Sequence, residues 1–429
     1  MDESKGIMFD EALVEELKDQ FYMTDADPDE GSRLFFDNSG GSLRLKKAVE
    51  IKADLERYPD CPERDHKRGL MLKEFVQKGT KEILEIMFNA KSGALISELT
   101  ASQCMFKMVD IIMDNVEGTN AVVSVLEHPS AFDAIQYHCE KHGREMRVVY
   151  PDKNTGRIEP DDVAKLVDNG TCLISIMSAS NIGGSVMDLE GIAKAARAIK
   201  PDVFIISDAV QHAPHMVMDV DKIGIDGMNF APYKFFSVRG CGYAYVSDRV
   251  AAMPHHKIIA KDQKVFELGT PSPGNFAAMM AIIDYVCSIG KKFIDSDDRK
   301  TLYQEGMRRI HLHERALLYR MLEGTEEVPG LRHIEGVEVG ADPESVENRD
   351  LIAGIRIKGM DVVELGEEFQ KRGITTAPRA ATSIYSKRIV EALGANEGLV
   401  RVSPMHCHGT EDIDRFLKVT KEIAEKFSC

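Results

Sequence analysis

Lys234 lies in a loop between two apolar stretches, 227–230 and 242–246, and is followed by Arg239-Gly240-Cys241-Gly242, whose glycines permit tight turning and close approach. A lysine enclosed by apolar surface loses its charge readily, and a neutral amine condenses with an aldehyde to give an imine. A surface lysine on a hairpin would present the same residues. Upstream, Asp208 follows the apolar stretch 203–206 in Ser207-Asp208-Ala209-Val210-Gln211-His212. A carboxylate at the carboxyl end of a parallel strand faces the ligand crevice, where it would keep a pyridine ring nitrogen protonated and make that ring an electron sink. An Asp in that place also serves as a helix N-cap. Thr100-Ala101-Ser102 opens a helical stretch, where free N–H groups and the helix dipole favour an anion such as phosphate. Thr100 alone would also fit an N-cap.

These groups need a scaffold, and the surrounding pattern supplies one. Apolar runs at 93–99, 121–126, 146–150, 172–177, 203–207, 227–230 and 242–246 alternate with helical stretches at 101–116, 130–142, 160–167 and 189–199. That alternation predicts an α/β fold built on a mostly parallel sheet of seven strands. A long helical pattern over 300–322 is followed by 331–334, 351–357, a helix over 361–372, then 374–376, 399–402 and a last helix over 411–427, which together predict a smaller α+β C-terminal domain. The expected division is an N-terminal segment 1–30 packing with the small domain, a large domain 31–295 and the small domain 296–429, as suits a chain of 429 residues.

Composition narrows the function classes. With 43% hydrophobic and 29% charged residues the chain has ample material for a core, and its net charge of −16 argues against a nucleic-acid partner. No apolar run approaches the length of a membrane span, and Met1-Asp2-Glu3-Ser4-Lys5 lacks the layout of a signal peptide. The eight cysteines are scattered without a CxxC pair, which fits reduced thiols and a cytoplasmic address. Met405-His406-Cys407-His408 has no spacing that matches a metal site, so no metal is expected, and it is expected to be a loop leading into the final helix.

The order of these segments resembles class V aminotransferases and cysteine desulfurases, pyridoxal 5′-phosphate (PLP) enzymes of fold type I, from about residue 34 to the C-terminus. Leu34-Phe35-Phe36-Asp37-Asn38-Ser39-Gly40-Gly41 resembles the family's opening strand and turn into the active site. Leu126-Glu127-His128 resembles a Glu-His pair whose histidine stacks on the cofactor, and Ser178-Ala179-Ser180-Asn181-Ile182-Gly183 a turn whose asparagine contacts the ring hydroxyl or the substrate. Asp208 and Gln211 match an Asp-x-x-Gln that pairs with the pyridine nitrogen and ring hydroxyl, and Lys234 matches the Schiff-base lysine. Val400-Arg401-Val402-Ser403 matches a motif whose arginine grips the substrate α-carboxylate, a role suited to a bidentate guanidinium. Thr100-Ala101-Ser102 resembles the family's phosphate-binding Thr-Thr-Glu. Gly269-Thr270-Pro271 resembles a turn that donates a phosphate ligand from the neighbouring subunit, which implies a homodimer with Thr270 completing its partner's site.

The resemblance has two departures. Where desulfurases carry Ser-x-His before the lysine, this chain has Ala231-Pro232-Tyr233, so Ala231 offers the phosphate no hydroxyl. Desulfurases also need a nucleophilic cysteine on the loop before the carboxylate arginine, and residues 373–400 contain none, leaving Cys407 as the nearest thiol in sequence. Arg379 in that stretch would suit a second acidic group on the substrate. The resulting expectation is a PLP enzyme acting on a small amino acid. Lys234, Asp208 and His128 are its catalytic set, and Gly41, Asn181, Arg379 and Arg401 meet the substrate. Amino transfer is favoured over C–S or other β-lyase chemistry, and epimerisation comes third. A binding protein that kept the fold is disfavoured by the intact Asp208, Lys234 and Arg401 set. A nicotinamide dehydrogenase is disfavoured because no GxGxxG follows an early strand.

Overall fold

The computed structural model describes residues 3–427; Met1, Asp2, Ser428 and Cys429 lie outside the described residues. Its main sheet has seven strands, as expected: β1 (Ala94–Glu98), β2 (Asn120–Ser124), β3 (Glu145–Val149), β4 (Thr171–Ser175), β5 (Phe204–Asp208), β6 (Gly227–Phe230) and β7 (Gly242–Val246). Their spatial order is β1-β7-β6-β5-β4-β2-β3. Pairing is parallel from β3 through to β6, and only β7 runs antiparallel, to both β1 and β6. Alternate residues of the strands feed two cores: Ile205 and Tyr245 pack on one face of the sheet, Phe204, Ile206 and Ala244 on the other. Burial on both faces explains why the strands are near-continuous apolar runs.

Helices α1 (Ala101–Asn115), α2 (Pro129–His142) and α3 (Leu189–Ile199) connect these strands. In α1, Met105, Met108, Val109 and Ile112 are fully buried at helical spacing. Two long helices follow, α4 (Pro273–Lys291) and α5 (Arg299–Glu323). The second sheet is antiparallel throughout: β8 (Val337–Gly340), β9 (Ala353–Ile357), β10 (Ala377–Arg379) and β11 (Leu399–Val402), in the order β8-β9-β11-β10. Helices α6 (Val362–Lys371) and α7 (Thr410–Phe427) cover it. Helix α5 belongs to both cores, with Tyr303 and Met307 in the first and Leu317 and Met321 in the second. The N-terminal segment packs on α5: Ile7 N–H donates to Leu312 O at 2.9 Å and Phe9 N–H to His313 Nδ1 at 3.0 Å.

One expected element differs, and several helices were not anticipated. Residues 331–334 were expected as an extended run, but Leu331–His333 form a 3₁₀ turn and the strand starts later, at Val337. Helices Glu11–Lys18, Lys46–Leu55 and Lys67–Glu82 and most of α4 carry no signal that the sequence pattern distinguished.

Candidate active site

Residues 231–241 join β6 to β7, and Pro232–Lys234 form a 3₁₀ turn. Phe236, two residues on, has φ of 59°, a left-handed conformation that aromatic residues rarely adopt. It is held from outside the loop: Phe236 N–H donates to Ser42 Oγ at 2.9 Å, and Leu45 N–H donates to Phe236 O at 2.9 Å. The chain after the opening turn therefore clamps the lysine loop against the sheet. Lys234 lines a cavity of about 280 Å³ that also takes in Thr100, Ala101, Ser102, His128, Asn181, Asp208 and Gln211. Enclosure, helped by the Arg401 and Arg379 guanidinium groups and opposed by Asp208 and Asp37, lowers the Lys234 pKa to about 7. Roughly half of such amines are neutral at neutral pH, against a vanishing fraction for an ordinary lysine.

Asp208 ends β5 at the carboxyl edge of the sheet and is 6% exposed. Its Oδ1 accepts from Val210 N–H at 2.9 Å, a local turn rather than a helix cap. Burial raises its pKa, against the pull of the Val210 N–H and Lys234. Glu127, which sequence reasoning noticed only as a neighbour of His128, is fully buried nearby and accepts from Met177 N–H at 2.6 Å. Burial, and repulsion from Asp208, raise its pKa well above the usual range. Of the two buried carboxyls, Glu127 is the one pushed further above its ordinary range.

At the other end, Thr100 caps α1 by accepting from Gln103 N–H at 3.1 Å. Ala101 and Ser102, whose N–H groups find no carbonyl within the helix, line the cavity and supply the donors of an anion cradle. Gly242 allows this: a Cβ there would lie 2.2 Å from Ala101 N. Asn229 Nδ2 donates to Ala101 O at 3.0 Å and fixes the cradle from β6. Ala231 faces the cavity without a hydroxyl, and Arg239 lines the cavity, its guanidinium carbon 4.3 Å from the Tyr233 ring centroid. Sequence reasoning had quoted Arg239 only as part of the glycine turn.

His128 caps α2, with Nδ1 accepting from Ser130 N–H at 3.2 Å and lying 2.8 Å from Ser130 Oγ. Burial, with Lys234, Arg379 and Arg388 nearby, lowers its pKa to about 4, so the ring is neutral. Asn181 is 6% exposed and its Oδ1 has no partner. Its turn is fixed by Gly184, at φ 75°, where a Cβ would meet the Ile352 carbonyl at 2.7 Å. Gln211 Nε2 donates to Ser39 O at 3.1 Å.

Arg401, on β11, is buried between two turns: Nη2 contacts Asp37 Oδ1 at 2.7 Å, Nη1 donates to Asn181 O at 3.1 Å, and Nε has no partner. Arg379 is half-buried at the end of β10; burial and Arg401 lower its pKa to about 10. Gly41 is half-buried beside Arg239, whose Nη2 lies 2.7 Å from where its Cβ would be. Thr270 is not brought to this chain's cavity: it is exposed, donating to Glu63 Oε1 at 2.9 Å. The stretch after β10 is surface, with Ile384 82% and Tyr385 53% exposed, and the Tyr385 ring lies parallel to that of His128 at 6.4 Å. Cys407 is fully buried, and burial raises its thiol pKa well above the ordinary value. It packs in the core before α7 and is no candidate for a sulfur acceptor.

A parallel-sheet crevice holding a low-pKa lysine, a buried carboxylate and an anion cradle defines a cofactor-dependent site. The family model described as "Aminotransferase class-V" matches residues 34–416, and the chain belongs to that family. The chain is similar to a probable cysteine desulfurase of Borreliella burgdorferi, 23% identical with 92% of each chain covered. It is 30% identical to a cysteine desulfurase of Dictyoglomus turgidum over 48% of this chain and 51% of that one. Among solved structures, a cysteine desulfurase from Thermococcus onnurineus matches with a TM-score of 0.80 at 20% identity, covering 96% of this chain and 98% of the other. An S-sulfonic acid form of an Escherichia coli cysteine desulfurase matches with a TM-score of 0.77 at 15% identity, covering 98% and 100%. These neighbours share the PLP fold type I, and PLP is the family's cofactor.

The cavity suits that cofactor on its own terms. The unpartnered Oδ1 atoms of buried Asn181 and Asn229, the first-turn N–H groups of α1 and the cavity itself offer acceptors, donors and space for a flat, phosphorylated ring. Among the described residues no helix is long and apolar enough to cross a membrane.

Proposed function

We propose that this chain is a PLP-dependent lyase that cleaves a C–S bond in a small amino acid such as cysteine, without storing the sulfur on a thiol of its own. The observation that carries the cofactor half is the Lys234 amine, near pKa 7, facing Asp208 in one cavity. PLP, when bound, supplies an electron sink for bonds broken at the substrate α-carbon. Lys234 would hold the cofactor, and its amine is placed to carry a proton to and from the substrate α-carbon. Asp208 would pair with a protonated ring nitrogen, a charge that would offset the cost of burying the carboxylate. His128 would offer a neutral ring face, Asn181 and Gln211 would serve the ring oxygen, and Ala101, Ser102 and Arg239 would hold the phosphate, with Thr270 of a second copy completing that shell in a homodimer. Arg401 would exchange Asp37 for the substrate carboxylate.

The lyase half is supported by the desulfurase relatives, and the missing persulfide by the mouth, where residues 380–398 contain no cysteine and Cys407 is in the core. Amino transfer is the second reading. It is favoured by Arg379 beside Arg401, a cation pair suited to a dicarboxylate. Borohydride reduction followed by peptide mapping tests the cofactor: Lys234 should carry the reduced pyridoxyl group, and an unmodified Lys234 refutes the whole reading. Incubation with single amino acids, assayed for sulfide, ammonia and 2-oxo acid, separates the reactions. Sulfide with free ammonia and no protein persulfide supports the lyase; 2-oxo acid formed without ammonia supports transfer.

A further inference from the structure

At the ends of α1 and α2 opposite to those that line the cavity, each helix brings an i, i+4 pair to one point: Asp110 and Asp114 from α1, His138 and His142 from α2. Asp114 Oδ1 accepts from His142 Nε2 at 2.6 Å and lies 3.5 Å from His138 Nδ1. His138 is only 2% exposed, yet its Nδ1, aimed at Asp114, has no hydrogen-bond partner. An unpaired buried nitrogen carries a desolvation cost that a ligand would remove. On the opposite edge of the ring, His138 Nε2 is 3.5 Å from Asp110 Oδ1.

We propose that Asp114, His138 and His142 form a binding site for a divalent transition-metal ion that favours imidazole, such as Zn²⁺, with Asp110 orienting His138. The three ligand atoms already lie within 4.8 Å of one another. Metal–ligand bonds of about 2.0–2.2 Å arranged tetrahedrally separate ligand atoms by roughly 3.3 Å, close to the present Asp114–His138 spacing. Two imidazoles and a carboxylate select zinc, cobalt or nickel over calcium or magnesium, and water completes the shell. Asp110 behind His138 reproduces the carboxylate–histidine–metal relay that fixes ring orientation. The competing cation is Lys141, whose Nζ is 2.7 Å from both Asp114 oxygens; its side chain is 39% exposed and free to swing aside. The ion would tie the last turn of α1 to the last turn of α2.

The test is calorimetric titration of chelator-stripped, PLP-loaded protein with Zn²⁺, paired with thermal melts. One saturable site per chain and a rise in Tm are expected. His142→Ala, at an exposed position that leaves the fold intact, should weaken binding on the order of 100-fold and abolish the Tm rise, as should Asp114→Asn. Asp110→Asn should weaken it about tenfold, and Lys141→Ala should strengthen it. Absence of saturable binding in the parent protein overturns the proposal. So does equal affinity in the parent, His142→Ala and Asp114→Asn proteins, which would place the ion on other groups.

Discussion

The floor and the mouth of the cavity are built on different principles. The floor hangs on β5, β6, β7 and the start of α1, elements whose positions are fixed by two buried cores and by close backbone approaches such as Gly242 on Ala101. The mouth is the stretch after β10, with Ile384 and Tyr385 in solvent. Cofactor chemistry depends on placement and pKa, so it belongs to the buried part; reaction choice depends on which groups the exposed rim presents. The family's shared cofactor and its varied reactions follow from that division.

The sharpest way to break the comparison is at the floor. On the proposed function Lys234→Ala removes both the attachment point and the proton carrier, so kcat/KM should fall on the order of 10⁴-fold, with the protein still folded by circular dichroism. A loss below about tenfold would mean that the floor does not do the chemistry. Arg401→Lys keeps a charge but loses the fork that meets a carboxylate, so KM should rise about 10- to 100-fold with kcat less affected. Arg239→Gln tests whether this cation replaces the hydroxyl absent at Ala231. The dissociation constant for PLP should rise about tenfold in equilibrium dialysis, the value for one exposed charge-assisted contact; unchanged retention would leave Arg239 as a stacking partner of Tyr233 only.

The floor was also the more legible region in sequence. Strands buried on both faces are apolar runs, and helices between them carry the helical period, so β1 to β7 and α1 to α3 stand out. Asp208, Lys234 and Thr100 follow because strand ends and helix starts face the crevice. The signal fails where structure is long-range. Phe236 adopts a positive φ with no glycine to announce it, because Ser42 and Leu45 hold it from far along the chain. Glu127 looks like any acidic neighbour until burial and the Asp208 charge push its pKa well above the usual range. Helix α4 is apolar over most of its circumference, with 13 of its 19 residues buried, so the amphipathic period that marks a surface helix is weak. The pairing of Asp114 with His138 and His142 depends on two helices lying side by side, which spacing along the chain does not reveal.

The smallest expected effect concerns what supports the floor from behind. His215 lies in the turn after Asp208, with Nδ1 2.7 Å from Glu314 Oε2 on α5, and His212 Nδ1 lies 3.0 Å from Asp350. Burial alone would lower the His215 pKa, but the Glu314 and Asp350 carboxylates overcome it and raise the value to about 9. The unfolded value is about 6.5, so the folded protein binds this proton more tightly. The stabilisation is therefore fully present below about pH 6.5 and is lost as pH rises through about 9. Thermal melts between those limits should show Tm falling with pH by roughly 2–4 °C from this group, and His215→Gln, which keeps a donor but does not titrate there, should flatten that slope. Because Asp350 N–H also donates to Gly184 O at 2.8 Å, the same pH rise should loosen the Asn181 turn before it touches the exposed mouth. A slope unchanged by the substitution would mean that the anchoring charge behind Asp208 lies elsewhere.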